Sequence, residues 1–281
     1  YGSLTGYGEK GPDSHRTAFD TMAWWARSGL MDIVRPSENS PPANPPIGMG
    51  DQPTGVALFA SIMTALYRRE KTGKGGEVHT SLMANGAWSN GSFIQAGLFG
   101  AQFPDRKEPS PLHPFGGRYK TKDNRYLILA IIDANKEWPK LLKALDIEYF
   151  NEDPRFSSFK KMNENFMILY EELEKIFIQY SLKEITEKLR FSEVTFGVLS
   201  HSNDHSKDQQ FIESEVLVKF DKGSFDEDFF TVNSPIFLEN ESKKIPTKAP
   251  KLGEHTKEIL SSLGQDEEEI AQLKQDGIID Y

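Results

Sequence analysis

The stretch that decides the fold is "GDQPTGVALFASIMTALYRREKTGKGGEVHTSL", residues 50–82. Apolar residues recur there at the three- and four-residue spacing of an amphipathic helix of about 15 residues. They are Val56, Phe59, Ile62, Met63, Leu66 and Tyr67. Basic residues followed by glycines in "KTGKGG" predict the end of that helix.

Asp51 stands at the start of this helix, and the local sequence leaves two compatible roles open for it. With Pro53 in the first turn, Asp51 suits the N-cap, where a carboxylate accepts backbone N–H bonds. The amides and dipole of a helix N-terminus also favour an ionised carboxylate. An ionised carboxylate set among small glycines is what covalent carboxylate catalysis requires.

Composition excludes several classes of protein. The 281 residues carry a formal net charge of −9, which argues against the basic face that nucleic-acid binding needs. The chain has no cysteine, so disulfides, thiolate zinc sites and cysteine nucleophiles are excluded. No apolar run approaches the ~18 residues of a membrane span, and "YGSLTGYGEK" lacks the pattern of a secretory signal. We expect a soluble, cytoplasmic protein.

The first half of the chain predicts helices joined by irregular segments. "DTMAWWARSGLM" has helical spacing, and we expect Trp24 and Trp25 to contribute to the core. Residues 51 to about 100 predict two helices. The prolines and paired glycines of "FPDRKEPSPLHPFGG" (103–117) predict a linker. Tyr1–Gly8 has the pattern of a strand end, which suggests that part of a larger domain precedes it.

Beyond the linker the pattern is mixed. "RYLILAII" (125–132) has the length and apolar density of a buried strand. "NKEWPKLLKALD" and "NFMILYEELEKIFIQY" have helical spacing, and Ser181 with Glu184 matches a capping box that opens another helix. Short strands follow in "SEVLVKF" and "TVNSPIFL". A last helix is predicted from about Thr256 to Lys274, after the loop "PTKAPKLGEHT". The acidic run in "GQDEEEIAQLKQD" has the pattern of a solvated helix start.

Other chemistry finds little support in the sequence. The glycines of "GYGEKGP" and "TGKGGEV" lack the spacing of a Walker A motif. The six histidines show no metal-ligand spacing, and no Gly-x-Ser-x-Gly elbow offers a serine nucleophile. Asp20 follows Phe19 near a predicted helix start, where a polar residue is ordinary. We therefore expect no metal.

Five segments, in this order, give the chain a resemblance to the class III coenzyme A transferases. This is the CaiB/BaiF family, which includes formyl-CoA transferase and carnitine CoA-transferase. The similar stretches span residue 6 to about 260: "GYGEKGP", "RTAFDTMAWWARSGLM", "GDQPTGVALFASIMTALYRREKTGKGGEVHTSL", "YKTKDNRYLILAI" and "PTKAPKLGEHTKEIL".

The resemblance implies an α/β fold with a Rossmann-like large domain and an inserted small α+β domain. The large domain would comprise residues 1–115 and the return segment 226–281, with the small domain at 116–225. Two chains of the family interlock, so a homodimer is implied, with 103–115 and 239–250 as crossing linkers. Roughly the first hundred residues of the family have no counterpart here.

The resemblance also implies a transferase that moves coenzyme A between an acyl-CoA donor and a carboxylic acid acceptor. Asp51 falls on the position of the catalytic aspartate, which passes through an anhydride and an aspartyl-CoA thioester. The thioester is the substrate, and no cofactor is bound permanently. The implied binding residues are those lining the CoA and acyl groups and those stabilising the oxyanions: Arg16, Thr17, Ala18, Phe19 and Asp20, then Gly48, Gly50, Gly116 and Gly117.

Two alternatives remain beside the transferase. The α-methylacyl-CoA racemases of the same superfamily use a histidine at the place of Phe19, and a phenylalanine cannot exchange protons. His15 lies four residues earlier. The other alternative is a non-catalytic fragment or partner chain. Because the basic cluster Arg68, Arg69, Lys71 and Lys74 lies at the far end of the Asp51 helix, we expect residues 1–281 alone to bind coenzyme A weakly.

Overall fold

The computed structural model describes residues 1–103 and 113–280, and the chain divides into two compact units. One unit comprises Tyr1–Asn124 and Leu129–Phe196, and the other comprises Arg125–Ile128 and Gly197–Tyr281. Most of the predicted linker, residues 104–112, lies outside the described residues.

The first unit begins with two parallel strands joined through a long helix. Strand β1 (Gly2–Thr5) pairs in parallel with β2 (Val78–Ser81), with Gly2 opposite Val78. The strand predicted at the start of the chain is thus confirmed. Between the strands lie a π-helical segment and two α-helices: Thr21–Ala26, α1 (Leu30–Ile33) and α2 (Asp51–Thr72).

Helix α2 is longer than predicted and less buried. It has 22 residues, which gives it a length of about 33 Å. It ends at Gly73, whose left-handed φ of 68° suits a residue without Cβ. The described elements pack against only part of the helix, so the apolar side chains of the predicted amphipathic pattern are 37–65% exposed: Val56, Phe59, Ile62, Met63, Leu66 and Tyr67.

The helix predicted over "DTMAWWARSGLM" is divided. Gly29 has a φ of 83°, which ends the π-helical segment and separates it from α1. Trp24 and Trp25 are both buried, as predicted, and their rings stack with centroids 5.7 Å apart. They join Tyr7, Ala23 and Leu82 in one apolar cluster.

The second helix predicted before residue 100 is also divided. Its two parts are α3 (Leu82–Ser89) and α4 (Gly91–Leu98), which meet at Asn90. The buried Asn90 side chain donates a hydrogen bond to the Ser28 carbonyl at 2.7 Å. This tertiary bond fixes the break between the helices.

Residues 113–124 and 129–196 of the first unit contain three of the predicted helices. They begin with a 3-10 turn at Pro114–Gly116 and the strand β3 (Arg118–Lys120). The helices predicted over "NKEWPKLLKALD" and "NFMILYEELEKIFIQY" are confirmed as α5 and α7. The four helices are α5 (Ala134–Leu145), α6 (Phe159–Glu164), α7 (Phe166–Phe177) and α8 (Leu182–Phe191), with a second 3-10 turn at Glu148–Glu152.

The predicted capping box at the start of α8 is present. The Ser181 hydroxyl accepts the Glu184 N–H at 3.3 Å, and the Glu184 carboxylate accepts the Ser181 N–H at 2.8 Å. Hydrogen bonds from Ser181 lower the pKa of the Glu184 carboxyl. Local sequence alone was sufficient to identify this helix start.

The strand predicted over residues 125–132 is shorter than expected and only half buried. It forms β4 (Tyr126–Leu129), in which Leu127 and Leu129 are fully buried while Tyr126 and Ile128 are partly exposed. A continuous apolar run therefore does not mark a strand covered on both faces here. Strand β5 is Phe196–Val198.

The second unit contains short elements. Strands β6 (Leu217–Lys219) and β7 (Phe230–Val232) pair antiparallel, so "SEVLVKF" holds a strand, whereas "TVNSPIFL" contributes only its first two residues. The predicted last helix is two helices, because Gly264 adopts a left-handed φ of 93° between them. These two are α10 (Thr256–Ser262) and α11 (Glu267–Gln275). A short helix, α9 (Gln209–Glu213), precedes β6.

In the two described stretches, no helix is both long and apolar enough to cross a membrane. The same residues contain no cluster of three His, Asp or Glu side chains that could hold a metal ion.

Close packing of α3 against the π-helical segment generates a first prediction. A Cβ added to Gly86 would lie 2.3 Å from the Trp24 carbonyl oxygen, so Gly86→Ala must displace backbone. We expect the free energy of unfolding, measured by urea denaturation, to fall by about 1–3 kcal/mol. Gly91→Ala, with no atom within 4 Å of the added Cβ, is the matched control and should not destabilise. Equal stability of the two variants would contradict this packing.

Candidate active site

The candidate site is built on the turn that leads into α2. Gly48 adopts a left-handed φ of 77°, which an L side chain would strain. The Met49 N–H donates to the Pro46 carbonyl at 3.3 Å, and the Gln52 N–H donates to the Gly48 carbonyl at 3.1 Å. The chain therefore reverses tightly before the helix begins.

Gly50 is held in this turn from two sides. A Cβ at Gly50 would lie 2.5 Å from Cγ of Trp24, so only glycine allows the turn to rest on the indole. The hydroxyl of Thr54, which is fully buried, donates to the Gly50 carbonyl at 2.7 Å. Sequence reasoning assigned Thr54 no role, and its position one turn after Gly50 is the signal that would have indicated it.

Asp20 makes the connection between the two segments of the site. Its carboxylate is 8% exposed, and Oδ2 accepts the Gly50 N–H at 3.3 Å. Oδ1 accepts the Thr21 hydroxyl at 3.1 Å. In the part of the chain that the structure describes, no Lys, Arg or His forms an ion pair with Asp20. Two residues predicted from separate motifs, Asp20 and Gly50, are thus brought together.

Asp51 is not the N-cap of α2, so that predicted role is wrong. Asp51 is the first residue of the helix, and the N-cap position belongs to Gly50, which has no side chain to cap with. The Gly50 N–H is already bonded to Asp20 and the Gln52 N–H to Gly48. The Asp51 side chain is exposed and makes no hydrogen bond or ion pair within residues 1–103 and 113–280. The Asp51 carboxylate therefore has no bonding partner among the described residues.

The rest of the predicted binding stretch has varied surroundings. The Arg16 guanidinium pairs with Asp13 at 3.2 Å and lies 5.5 Å from the Tyr7 ring centroid. Ala18 packs closely on Gly6, where an added Cβ would come within 2.2 Å of the alanine methyl. Thr17 is exposed, and the Phe19 ring is 66% exposed. No hydrogen bond joins Arg16 or Thr17 to the Asp51 turn among the described residues.

Three of the glycine N–H groups predicted to stabilise an oxyanion are already bonded. The Gly50 N–H donates to Asp20, the Gly116 N–H to the His113 carbonyl at 2.9 Å, and the Gly117 N–H to the Pro114 carbonyl at 3.3 Å. The backbone N–H groups of Gly48 and Asp51 have no acceptor within the described ranges. These two are the donors that the turn leaves available.

The family model of CoA-transferase family III matches residues 1–256 of the chain. The chain therefore belongs to CoA-transferase family III, a family of enzymes, as its sequence resemblance indicated.

Two curated relatives are similar over essentially the whole chain. The (R)-2-hydroxy-4-methylpentanoate CoA-transferase of Clostridioides difficile is 34% identical over 283 residues, which cover 100% of this chain and 70% of the relative. The cinnamoyl-CoA:phenyllactate CoA-transferase of Clostridium sporogenes is 28% identical and is covered over 67% of its length. This chain thus spans about two thirds of each relative.

A solved structure supports the predicted fold class. The crystal structure of a CaiB/BaiF family protein from Brucella suis superposes with a TM-score of 0.79 at 24% identity. The match covers 94% of this chain and 67% of that protein. The mixed α/β fold of the family is thereby confirmed.

Proposed function

We propose that this chain carries the nucleophile of a CoA transferase and that Asp51 is that nucleophile. The observation that supports this proposal is the Asp51 carboxylate at the start of α2, which has no bonding partner among the described residues, while the Gly50 and Gln52 N–H groups are bonded elsewhere. A carboxylate without a hydrogen-bond or ion-pair partner is free to attack, and it lies on the position of the catalytic aspartate in the family resemblance.

The proposed reaction proceeds through alternating anhydrides and a thioester. An Asp51 oxygen attacks the carbonyl carbon of the donor thioester and the CoA thiolate departs. Asp51 and the donor acyl group are then joined in a mixed anhydride. The thiolate then attacks the aspartyl carbonyl, which releases the donor acid and forms an aspartyl-CoA thioester. The acceptor carboxylate displaces CoA to form a second anhydride. The CoA thiolate then attacks the acyl carbon of the acceptor in this anhydride. This step releases the new acyl-CoA thioester and regenerates Asp51.

Each carbonyl that is attacked develops negative charge on oxygen, and preorganised N–H donors stabilise such charge. We propose the backbone N–H groups of Gly48 and Asp51 for this role, because both are unbonded within the described residues. Gly50 then contributes by close packing on Trp24 rather than by its own N–H.

The proposed acceptor is a 2-hydroxy acid with an apolar side chain. The names of both curated relatives include such an acid, 2-hydroxy-4-methylpentanoate in one and phenyllactate in the other. The site offers a matching surface, since the 66% exposed Phe19 and the 44% exposed Met49 directly precede the hydrogen-bonded pair Asp20 and Gly50. Apolar side chains there would lose water on binding an apolar acid.

We further propose that the protein acts as an interlocked homodimer, divided into domains as its family resemblance implies. Exposed apolar side chains support this proposal, because α2 leaves an apolar face uncovered and Trp88 is 87% exposed. Soluble proteins seldom leave large contiguous apolar patches in water.

Racemase activity is the second candidate, and the site argues against it. The position of its histidine holds Phe19, which has no titratable group. His15 is exposed, and its ring has no hydrogen-bond partner in the described parts of the chain. The side chain at the position of the racemase histidine therefore cannot remove an α-proton.

A substitution at Asp51 tests the nucleophile. Asp51→Ala should lower the CoA-transfer rate by at least about a thousandfold. It should change the free energy of unfolding by less than about 1 kcal/mol, because no capping bond is lost and only the interaction with the helix dipole disappears.

The assay is performed on the natural protein with any sequence that flanks this chain. Glu258→Ala is the matched control, since it removes an acidic residue from the first turn of α10. That variant should retain wild-type transfer. A wild-type rate in Asp51→Ala would refute the nucleophile.

A panel of acceptor acids tests the proposed substrate class. (R)-2-hydroxy-4-methylpentanoate and phenyllactate should accept CoA with kcat/KM about 100-fold above glutarate, because an apolar surface cannot compensate the desolvation of a second carboxylate. The matched acid 4-methylpentanoate, which lacks only the hydroxyl, isolates the contribution of that group. Equal or better transfer to glutarate would exclude the apolar class.

A further inference from the structure

We infer that Asp20 is a positioning residue for Asp51, an inference that rests on the proposed function. The Asp20 carboxylate reaches from the segment before the π-helix to the residue directly before Asp51 in sequence. It accepts the Gly50 N–H at 3.3 Å from a position that is 8% exposed. Asp20 thus acts through the backbone of the turn and not on the substrate.

Burial of this carboxylate would be costly without the bonds it makes. A charged group removed from water requires hydrogen bonds or a counter-charge to offset the lost hydration. Asp20 has no cationic partner in the described residues, and each of its two oxygens accepts one hydrogen bond, from the Thr21 hydroxyl and from the Gly50 N–H. The hydrogen bond between Asp20 and Gly50 therefore stabilises both the buried carboxylate and the conformation of the turn.

The same bond removes one competing donor from the surroundings of Asp51. The first N–H groups of a helix lack partners within it and are usually capped by the side chain that precedes them. At α2 the preceding residue is Gly50, which packs against Trp24 and has no capping side chain. Asp20 instead accepts the Gly50 N–H, directly before the helix, so that this donor is not available to the neighbouring Asp51 carboxylate. Loss of Asp20 would release the Gly50 N–H and give the nearby Asp51 carboxylate a competing partner.

Misplacement of a nucleophile slows its reaction but does not lower the fraction of molecules that finally react. A shift of about 1 Å can cost about 100-fold in rate. A general loss of folding has a different signature, because fewer molecules react but each reacts at the normal rate. The two effects separate when the rate and the final extent of Asp51 modification are measured together.

The test is a single-turnover trapping experiment on the natural protein. The probe is (R)-2-hydroxy-4-methylpentanoyl-CoA with hydroxylamine, whose nitrogen attacks the activated aspartyl carbonyl and displaces CoA or the acid. The hydroxamate on Asp51 is followed by peptide mass. Asp20→Ala should reach the wild-type extent of labelling about 100-fold more slowly. Asp20→Asn should remain within about tenfold of wild type, since its amide oxygen still accepts an N–H.

A matched control uses a carboxylate with the same kind of bond elsewhere. Asp133 accepts the Lys136 N–H at 3.3 Å as the N-cap of α5, so Asp133→Ala removes an equivalent bond and should label at the wild-type rate. If Asp20→Ala does not fold, Asp20→Ser decides by the same measurement, because its shorter hydroxyl does not reach the Gly50 N–H.

The outcomes are distinguishable. Slow labelling to full extent in Asp20→Ala, with rescue in Asp20→Asn, supports positioning. Labelling of Asp20→Ala at the wild-type rate, with either a full or a reduced extent, overturns it while leaving the Asp51 nucleophile intact. A wild-type protein that is not labelled at Asp51 overturns the proposed function, and this inference with it.

Discussion

The hydrogen bond from the Gly50 N–H to the buried Asp20 carboxylate is the contact on which the candidate site depends. It joins two segments 30 residues apart and closes the turn that begins α2. Trp24 makes the bond possible, because Gly50 lies directly on its indole with no room for a Cβ. Steric fit and hydrogen bonding therefore specify the same geometry. A substitution at any of these three residues would change the position of Asp51.

The scaffold around this turn is tied together by further backbone contacts. The parallel pair β1 and β2 anchors the far end of α2, and the Met83 N–H donates to the Gly6 carbonyl at 3.0 Å where the strand leads into α3. Gly86 lets α3 approach the Trp24 carbonyl from the other side. Trp24 is thus fixed between α3 and the turn that begins α2, which gives this turn a rigid base. Rigid support is what a precisely placed nucleophile requires.

Local signals predicted much of the fold. The capping box of Ser181 and Glu184 and the periodicity of α5 and α7 are properties of neighbouring residues, and all three appeared as expected. Helix breaks were missed where the cause was a single residue within a helical pattern. Gly264 adopts a left-handed φ there, while Asn90 bonds to the distant Ser28.

The candidate site shows the same limit more sharply. Sequence indicated Asp20, Gly50 and Asp51 separately but predicted a capping role for Asp51 from its position before a helix. The structure gives the turn a different acceptor, Asp20, which is remote in sequence. Propensity describes what a segment prefers alone, whereas a tertiary contact decides which of several acceptors is used. The exposed apolar face of α2 is a further case, since periodicity identifies such a face without identifying what covers it.

The central claim, that Asp51 forms covalent intermediates, is tested most directly by following oxygen. In the proposed reaction the acceptor gives one carboxylate oxygen to the enzyme each time its acyl group leaves the anhydride. The acceptor acid is therefore supplied with its carboxylate enriched in the heavy isotope of oxygen, in ordinary water. After turnover, peptide mass should show heavy oxygen in the Asp51 side chain and in no other carboxylate. Efficient transfer with no isotope in Asp51 would contradict the account.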